Sequence, residues 1–331
     1  MHGNTRVVRI TLLVLLMAIW MVPCWSSAQT TEMPKSMVIV DGRAATSTFA
    51  FITGIAELIK KHVGIKTVPE AGTMGRNILL LHKKEAEFAL TNNDRNYVAA
   101  RGEDEYKPFG KMNVRLMFSS SNSPPFCFVT RRDANIKSVT DLKGKKVMCL
   151  YPGNPAFTKG ADLHFEAVGM SRKDVQVMSF SGHEEGDMAL KERRISAYIH
   201  PMPITSVMPY LVELGFEVPI RLLSAPKDKL DAIMPKYPYF RTVPAKIYGD
   251  LVDQKDMVSI GVAETVVTQT ALPEDLVYKV MKAIFEHLGE LTQFTPITQR
   301  YGQAIPSLRQ SFRTILEPSS STRKRNYGWT T

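Results

Sequence analysis

The strongest constraint on the fold is a pattern that recurs along the chain: a short apolar run, a loop of small residues, then an apolar stripe of helical period. Met37 to Val40 is β-branched and apolar, as suits a strand buried on both faces. Asp41-Gly42 ends it, and from Ser47 the period changes, with Phe49, Ile52, Ala56 and Ile59 recurring every three or four residues. Thr46, Ser47 or Thr48 can cap that helix by accepting from its first N–H groups. The pattern returns at Gly64 to Glu70 (strand), Ala71 to Gly75 (loop) and Arg76 to Lys84 (helix), and again at Glu87 to Thr91, which ends on Asn92-Asn93-Asp94. Strands alternating with helices imply parallel pairing with helices on both faces. In such a sheet the loops at the strand carboxyl ends form the crevice where ligands bind. Helix N-termini there offer backbone donors to an anion, although an ordinary α/β connection would look the same.

After the strand Val114 to Phe118, the run Ser119 to Pro125 breaks all periodicity and reads as a linker. A second series follows. Strands are expected at Phe126–Thr130, Val147–Leu150, Val175–Phe180 and Ser196–His200, with helices after Thr158 and over Glu184–Arg193. The loop Tyr151 to Thr158 repeats the design of the first loop, with a glycine and a hydroxyl cap, so two such cradles would face each other across a cleft. Ile220–Leu223, Met257–Ala263 and Glu264–Thr268 are assigned back to the first unit. The helix from Pro273 to His287 has proline and two acids in its first turn and a continuous apolar stripe, and reads as structural. The expected division is a leader over 1–28, a first lobe from 29–122 and 223–331, and a second lobe from 123–222.

Arg6 and Arg9 precede an apolar run from Ile10 to Val22 and the small residues Ser26-Ser27-Ala28. This is the layout of an export signal cut after Ala28, with a run shorter than the ~18 residues of a spanning helix. A retained N-terminal anchor is the alternative. Loss of the leader leaves 40 basic against 32 acidic residues, a net charge of +8. That balance suits an acidic ligand or an anionic surface, or serves solubility alone. The basic residues are scattered, apart from Arg323-Lys324-Arg325 in the tail, and no basic patch with interleaved aromatics points to nucleic acid. Cys127 and Cys149 sit in apolar strand-like runs and read as buried small hydrophobes, with a disulfide as the alternative. No Gly-x-Ser-x-Gly elbow, phosphate-binding glycine loop or His-Glu-x-x-His is present. His183-Glu184-Glu185 offers adjacent donors that point to different helix faces, so no metal, cofactor or enzymatic activity is expected.

Several stretches together resemble the TAXI group of solute receptors, which serve tripartite ATP-independent periplasmic (TRAP) transporters. They are Gly42 to Phe49, Glu70 to Asn77, Phe88 to Asp94, Ser138 to Val147, Tyr237 to Phe240 with Val243 to Gly249, and Leu272 to Glu286. The resemblance spans about Met37 to Leu291. It implies an α/β, two-lobed type II periplasmic-binding-protein fold, each lobe a mostly parallel sheet flanked by helices, with the ligand cleft between them. The pocket positions it carries over are Arg43, Thr46, Thr48 and Phe49; Gly72, Thr73 and Asn77; Asn92, Asn93 and Asp94; and Gly153, Asn154, Phe157 and Thr158. His200, at a strand end, is added from the residues alone. Arg43 departs from the family pattern and is a candidate fork for a ligand carboxylate. Pro155 also departs from it and removes a backbone donor. The expected protein is a monomeric periplasmic receptor that captures a small organic acid or amino acid by hinge closure and hands it to TRAP membrane subunits. The alternatives are a receptor for an ATP-driven importer and an exported sensor on the same scaffold.

Overall fold

The computed structural model describes residues 33–44, 46–120, 123–202, 209–244, 257–296 and 298. The expected leader and the basic run Arg323–Arg325 lie outside these residues. Among the described residues no helix is long and apolar enough to cross a membrane.

The chain runs β1 (Ser36–Asp41), α1 (Ser47–Val63), β2 (Lys66–Ala71), α2 (Met74–His82), β3 (Phe88–Asn92), α3 (Asn93–Arg101) and β4 (Val114–Ser119). It then crosses to β5 (Pro125–Arg131), β6 (Lys146–Leu150), α4 (Pro155–Ala167), β7 (Gln176–Ser179), α5 (His183–Lys191) and β8 (Ala197–Pro201). There follow α6 (Pro209–Glu217), β9 (Ile220–Leu223), α7 (Lys227–Ile233), β10 (Phe240–Pro244), β11 (Val258–Val262), β12 (Glu264–Gln269), α8 (Glu274–Glu286) and α9 (Leu288–Leu291).

Two sheets result. The first has the order β2-β1-β3-β12-β4, parallel across β2-β1-β3 and antiparallel on both sides of β12. Alternation along β1 sends Met37 and Ile39 to one face, where α1 and α8 cover them with Phe51, Ile55, Leu276 and Ile284. Val40 points to the other face, against Leu81 of α2. The second sheet runs β10-β11-β5-β8-β6-β7, with β9 also on β5. It is parallel only at β8-β6-β7. Strands that carry the chain out of a sheet and back, β4, β5, β11 and β12, are antiparallel to at least one neighbour because the return reverses direction. The outcome is the two-lobed α/β architecture that the resemblance implies, except that neither sheet is mostly parallel: two of four described pairings in the first and two of six in the second run parallel, because the strands at each crossing reverse direction.

Two strand placements differ from expectation. Ile220–Leu223 and Val258–Val262 belong to the second sheet: β5 pairs with β8 along one edge and shares the other between β11 at its start and β9 at its end. The return to the first sheet therefore falls at Ala263 and not at residue 223. A four- or five-residue apolar strand fits either sheet equally well, and only its partners' register decides.

The described ends of the crossing at Ser119–Pro125 lie beside the crossing at Ala263. Ser120 N donates to the Glu264 carbonyl at 2.8 Å, and Glu264 N donates to Ser120 Oγ at 3.1 Å. A Cβ on Gly261 would lie 2.7 Å from the Pro124 carbonyl oxygen and 2.9 Å from that of Ser123, so the backbones approach as only glycine permits. Cys127 and Cys149 are buried and unbridged, and burial pushes both thiols up to about 12.

Candidate functional site

A cavity of about 370 Å³ opens where the carboxyl ends of β1, β2 and β3 meet the loop after β6, the start of α5 and the end of β8. Its position follows from the strand direction in the parallel part of each sheet. Of the residues expected at the site, Arg43, Thr46, Thr48, Gly72, Thr73, Asn92, Gly153, Asn154, Phe157 and His200 line it.

The other five lie off it, each for a local reason. Phe49 turns with the stripe of α1 into the first core. Asn77 is buried beneath Gly72, donating from Nδ2 to the Leu90 carbonyl at 3.0 Å; a Cβ on Gly72 would come within 2.3 Å of Asn77 Oδ1. Asn93 N donates to the Ala263 carbonyl at 2.9 Å, which ties the first turn of α3 to the crossing. Asp94 is buried against Arg95, whose Nε donates to it at 2.9 Å. Thr158 Oγ1 accepts from Tyr151 N at 2.9 Å, bracing its own loop. The helix that Thr158 was expected to cap begins earlier, at Pro155, with Asn154 as the cap.

Hydrogen bonds of Met74, Asn92 and Arg43 join the lobes at the cavity wall. Met74 N donates to the Gly153 carbonyl at 3.3 Å, and Asn92 Nδ2 donates to Asn154 Oδ1 at 2.8 Å. Arg43 reaches from the first lobe to the second, donating from Nη1 to the Ser181 carbonyl at 2.8 Å and pairing through Nη2 with Glu184 at 3.3 Å. The fork proposed for a ligand carboxylate is thus already engaged by protein. Gly182 makes this fit possible, since a Cβ there would stand 2.3 Å from Arg43 Nη1.

The electrostatics of the site come from residues that the motifs do not mark. Asp41 is fully buried at the end of β1, and neither carboxyl oxygen has a hydrogen bond of ordinary geometry. Desolvation pushes its carboxyl up to about 7; the nearby Thr48 hydroxyl and Gly42 N–H favour the charged form, and Glu264 opposes it. Glu264 and Glu184 line the cavity. A sequence signal did exist for Asp41: it stands in the inward register of Met37 and Ile39, where a carboxylate is out of place. The opposite wall is aromatic. Tyr151 and Phe157 lie 4.8 Å apart between ring centroids, Phe126 and Phe157 5.6 Å, and His200 stands edge-on to Phe157 at 5.9 Å. Burial, with His183 beside it, lowers His200 to about 3, so this wall is uncharged at neutral pH.

A family model described as the NMT1-like family matches residues 42–313. The chain belongs to the NMT1-like family. This NMT1-like chain is also similar to solved structures. XAC2383 from Xanthomonas citri bound to ATP is 9% identical, with 85% of this chain and 98% of that one covered at a TM-score of 0.51. The periplasmic aliphatic sulphonate binding protein SsuA from Escherichia coli is 12% identical over 83% and 79%, with a TM-score of 0.47. The substrate binding protein of an amino acid ABC transporter is 13% identical over 81% and 99%, with a TM-score of 0.44. At these identities the likeness is one of fold.

Proposed function

We propose that this protein is an exported solute receptor that closes its two lobes over a small organic molecule bearing a protonated amine, such as an amino acid. The observation that carries this reading is the cavity itself, whose walls come from both sheets and whose size is that of a small-molecule site. A guest touching both walls stabilises the closed form over the open one and shifts the population towards it. Charge then narrows the guest. Among the described residues Arg43 is the only Lys or Arg on the lining, and its guanidinium lies against Glu184 and the Ser181 carbonyl. Glu264 lines the cavity with Asp41 buried nearby, which favours an ammonium over a simple anion. The aromatic wall supplies an apolar face and ring quadrupoles for the same cation.

Two membrane partners suit such a receptor. The TAXI resemblance implies a TRAP-type secondary transporter. An ATP-driven importer is the class named for the amino acid binding protein above. Uptake by vesicles carrying one or the other type of membrane subunit distinguishes them. The receptor reading is tested by native mass spectrometry of the purified protein and by thermal shift with amino acids, diamines and dicarboxylates. Amine-bearing compounds are expected to raise Tm with dissociation constants near micromolar, about −8 kcal/mol. Binding by dicarboxylates alone removes the amine, and binding by no small molecule removes the receptor.

A further inference from the structure

At the end of α1 away from the cavity, three side chains of metal-ligating type converge from α1 and the α8–α9 corner. His62 lies in the last turn of α1, His287 joins α8 to α9, and Glu290 lies within α9. Their donor atoms all fall within 4.8 Å of one another. His62 Nε2 stands 3.3 Å and His287 Nδ1 3.4 Å from the same oxygen, Glu290 Oε1. A tetrahedron with metal–ligand bonds of about 2.1 Å has edges of about 3.4 Å, so both spacings match a pair of ligands on one tetrahedral ion. The two imidazoles are stacked, with centroids 3.5 Å apart and planes 4° from parallel, so one ring has to turn about its Cβ–Cγ bond before both in-plane lone pairs can aim at one ion. Lys61 Nζ holds the other carboxylate oxygen, Oε2, at 2.9 Å, which leaves Oε1 to act as a single ligand.

Without an ion, two imidazole nitrogens compete for one carboxylate oxygen. A divalent cation accepts a lone pair from all three. The His62 side chain is 20% exposed, His287 35% and Glu290 34%, so the cluster is held by packing yet open to a water as fourth ligand. We propose that His62, His287 and Glu290 form a divalent-metal site of the zinc class that clips α8 and α9 to α1. Two imidazoles and one carboxylate are borderline donors, suited to Zn²⁺ or Ni²⁺, whereas Mg²⁺ and Ca²⁺ call for oxygen alone. The clip would lock a contact that packing has already made close. A Cβ on Gly54, midway along α1, would stand 2.8 Å from Leu291 and 2.9 Å from Phe294. The site lies apart from the cavity and does not rest on the receptor reading.

The test uses the tag-free protein, stripped with EDTA and titrated with Zn²⁺ alone by calorimetry, with thermal unfolding in parallel. One equivalent is expected to bind at micromolar affinity or tighter and to raise Tm by several degrees, while Mg²⁺ and Ca²⁺ do neither. His62→Gln and His287→Gln should each weaken binding about tenfold or more, and Glu290→Gln should do the same while changing side-chain size least. His82→Gln, away from the cluster, should leave binding unchanged. Circular dichroism checks that each variant is folded. No stoichiometric binding at about 100 μM Zn²⁺, or binding that survives all three cluster substitutions, overturns the site.

Discussion

The loop after β1 closes over a buried acid, whereas the loop after β6 closes over an amide and a set of rings. In the first, Thr46 Oγ1 accepts from Phe49 N at 3.1 Å, Asp41 lies beneath, and Arg43 reaches outward to the other lobe. In the second, Asn154 Oδ1 accepts from Ala156 N at 3.1 Å and from Asn92 Nδ2 at 2.8 Å, Pro155 occupies the first helical turn, and Tyr151 and Phe157 supply the surface. Both loops are strand, glycine, cap and helix, yet each helix N-terminus is partly satisfied from within. Fewer first-turn donors therefore remain for an anionic guest. The first lobe thus brings Arg43 and Glu264 to the opening, with Asp41 beneath, and the second brings the aromatic surface beside Glu184, so a molecule that needs both an acid of the first lobe and the rings has to touch both.

The sharpest way to break this asymmetry is to discharge the first loop. Asp41→Asn should stabilise the protein at pH 8 by on the order of 4 kcal/mol, because a carboxyl held near 7 when folded costs that much once ionised. The sign follows from its raised folded value: below about pH 4 both states are protonated and the gain vanishes, it grows between pH 4 and 7, and it levels off above. Urea midpoints at pH 4, 6 and 8 test this, and a gain independent of pH would show that Asp41 is not the strained group. Breaking the second loop should have a smaller effect. Asn154→Ala removes a helix cap and a bond between lobes, for a loss of about 1–2 kcal/mol, against about 1 for Thr46→Ala, which loses only its own lobe's cap. Solution scattering of the unliganded variants should show the first more open than the second. The smallest change is expected from Arg43→Met. Its ion pair is half exposed on both sides, so stability should move by under about 1 kcal/mol, while scattering again reports a more open form.

Much of the scaffold was legible because it rests on short-range signals. The alternation of strand and helix, a hydroxyl cap within Thr46–Thr48 (Thr46 in the structure) and the break at Ser119–Pro125 can all be read within a few residues. Partner choice is a long-range property, so the home of Ile220–Leu223 could not be read from its own four residues. The same distinction divides the site. Family motifs locate loops, which is why ten of the carried-over and added positions meet at the cavity. Whether a side chain in such a loop faces the guest depends on helical phase and on what lies underneath. That is how Phe49 and Asp94 turn inward while Glu264, distant in the chain, reaches the opening. Asp41 looked like an ordinary turn residue, and its neighbours are contributed by α1 and β12.

The paired crossings at Ser120 and Glu264 have a mechanical meaning. Two stitched ribbons lying side by side resist twisting and sliding but yield to flexing about the line that runs across them, as a door does on two pins. Opening of this protein should therefore follow a single angular coordinate, which one pair of spectroscopic labels placed across the mouth would be enough to track.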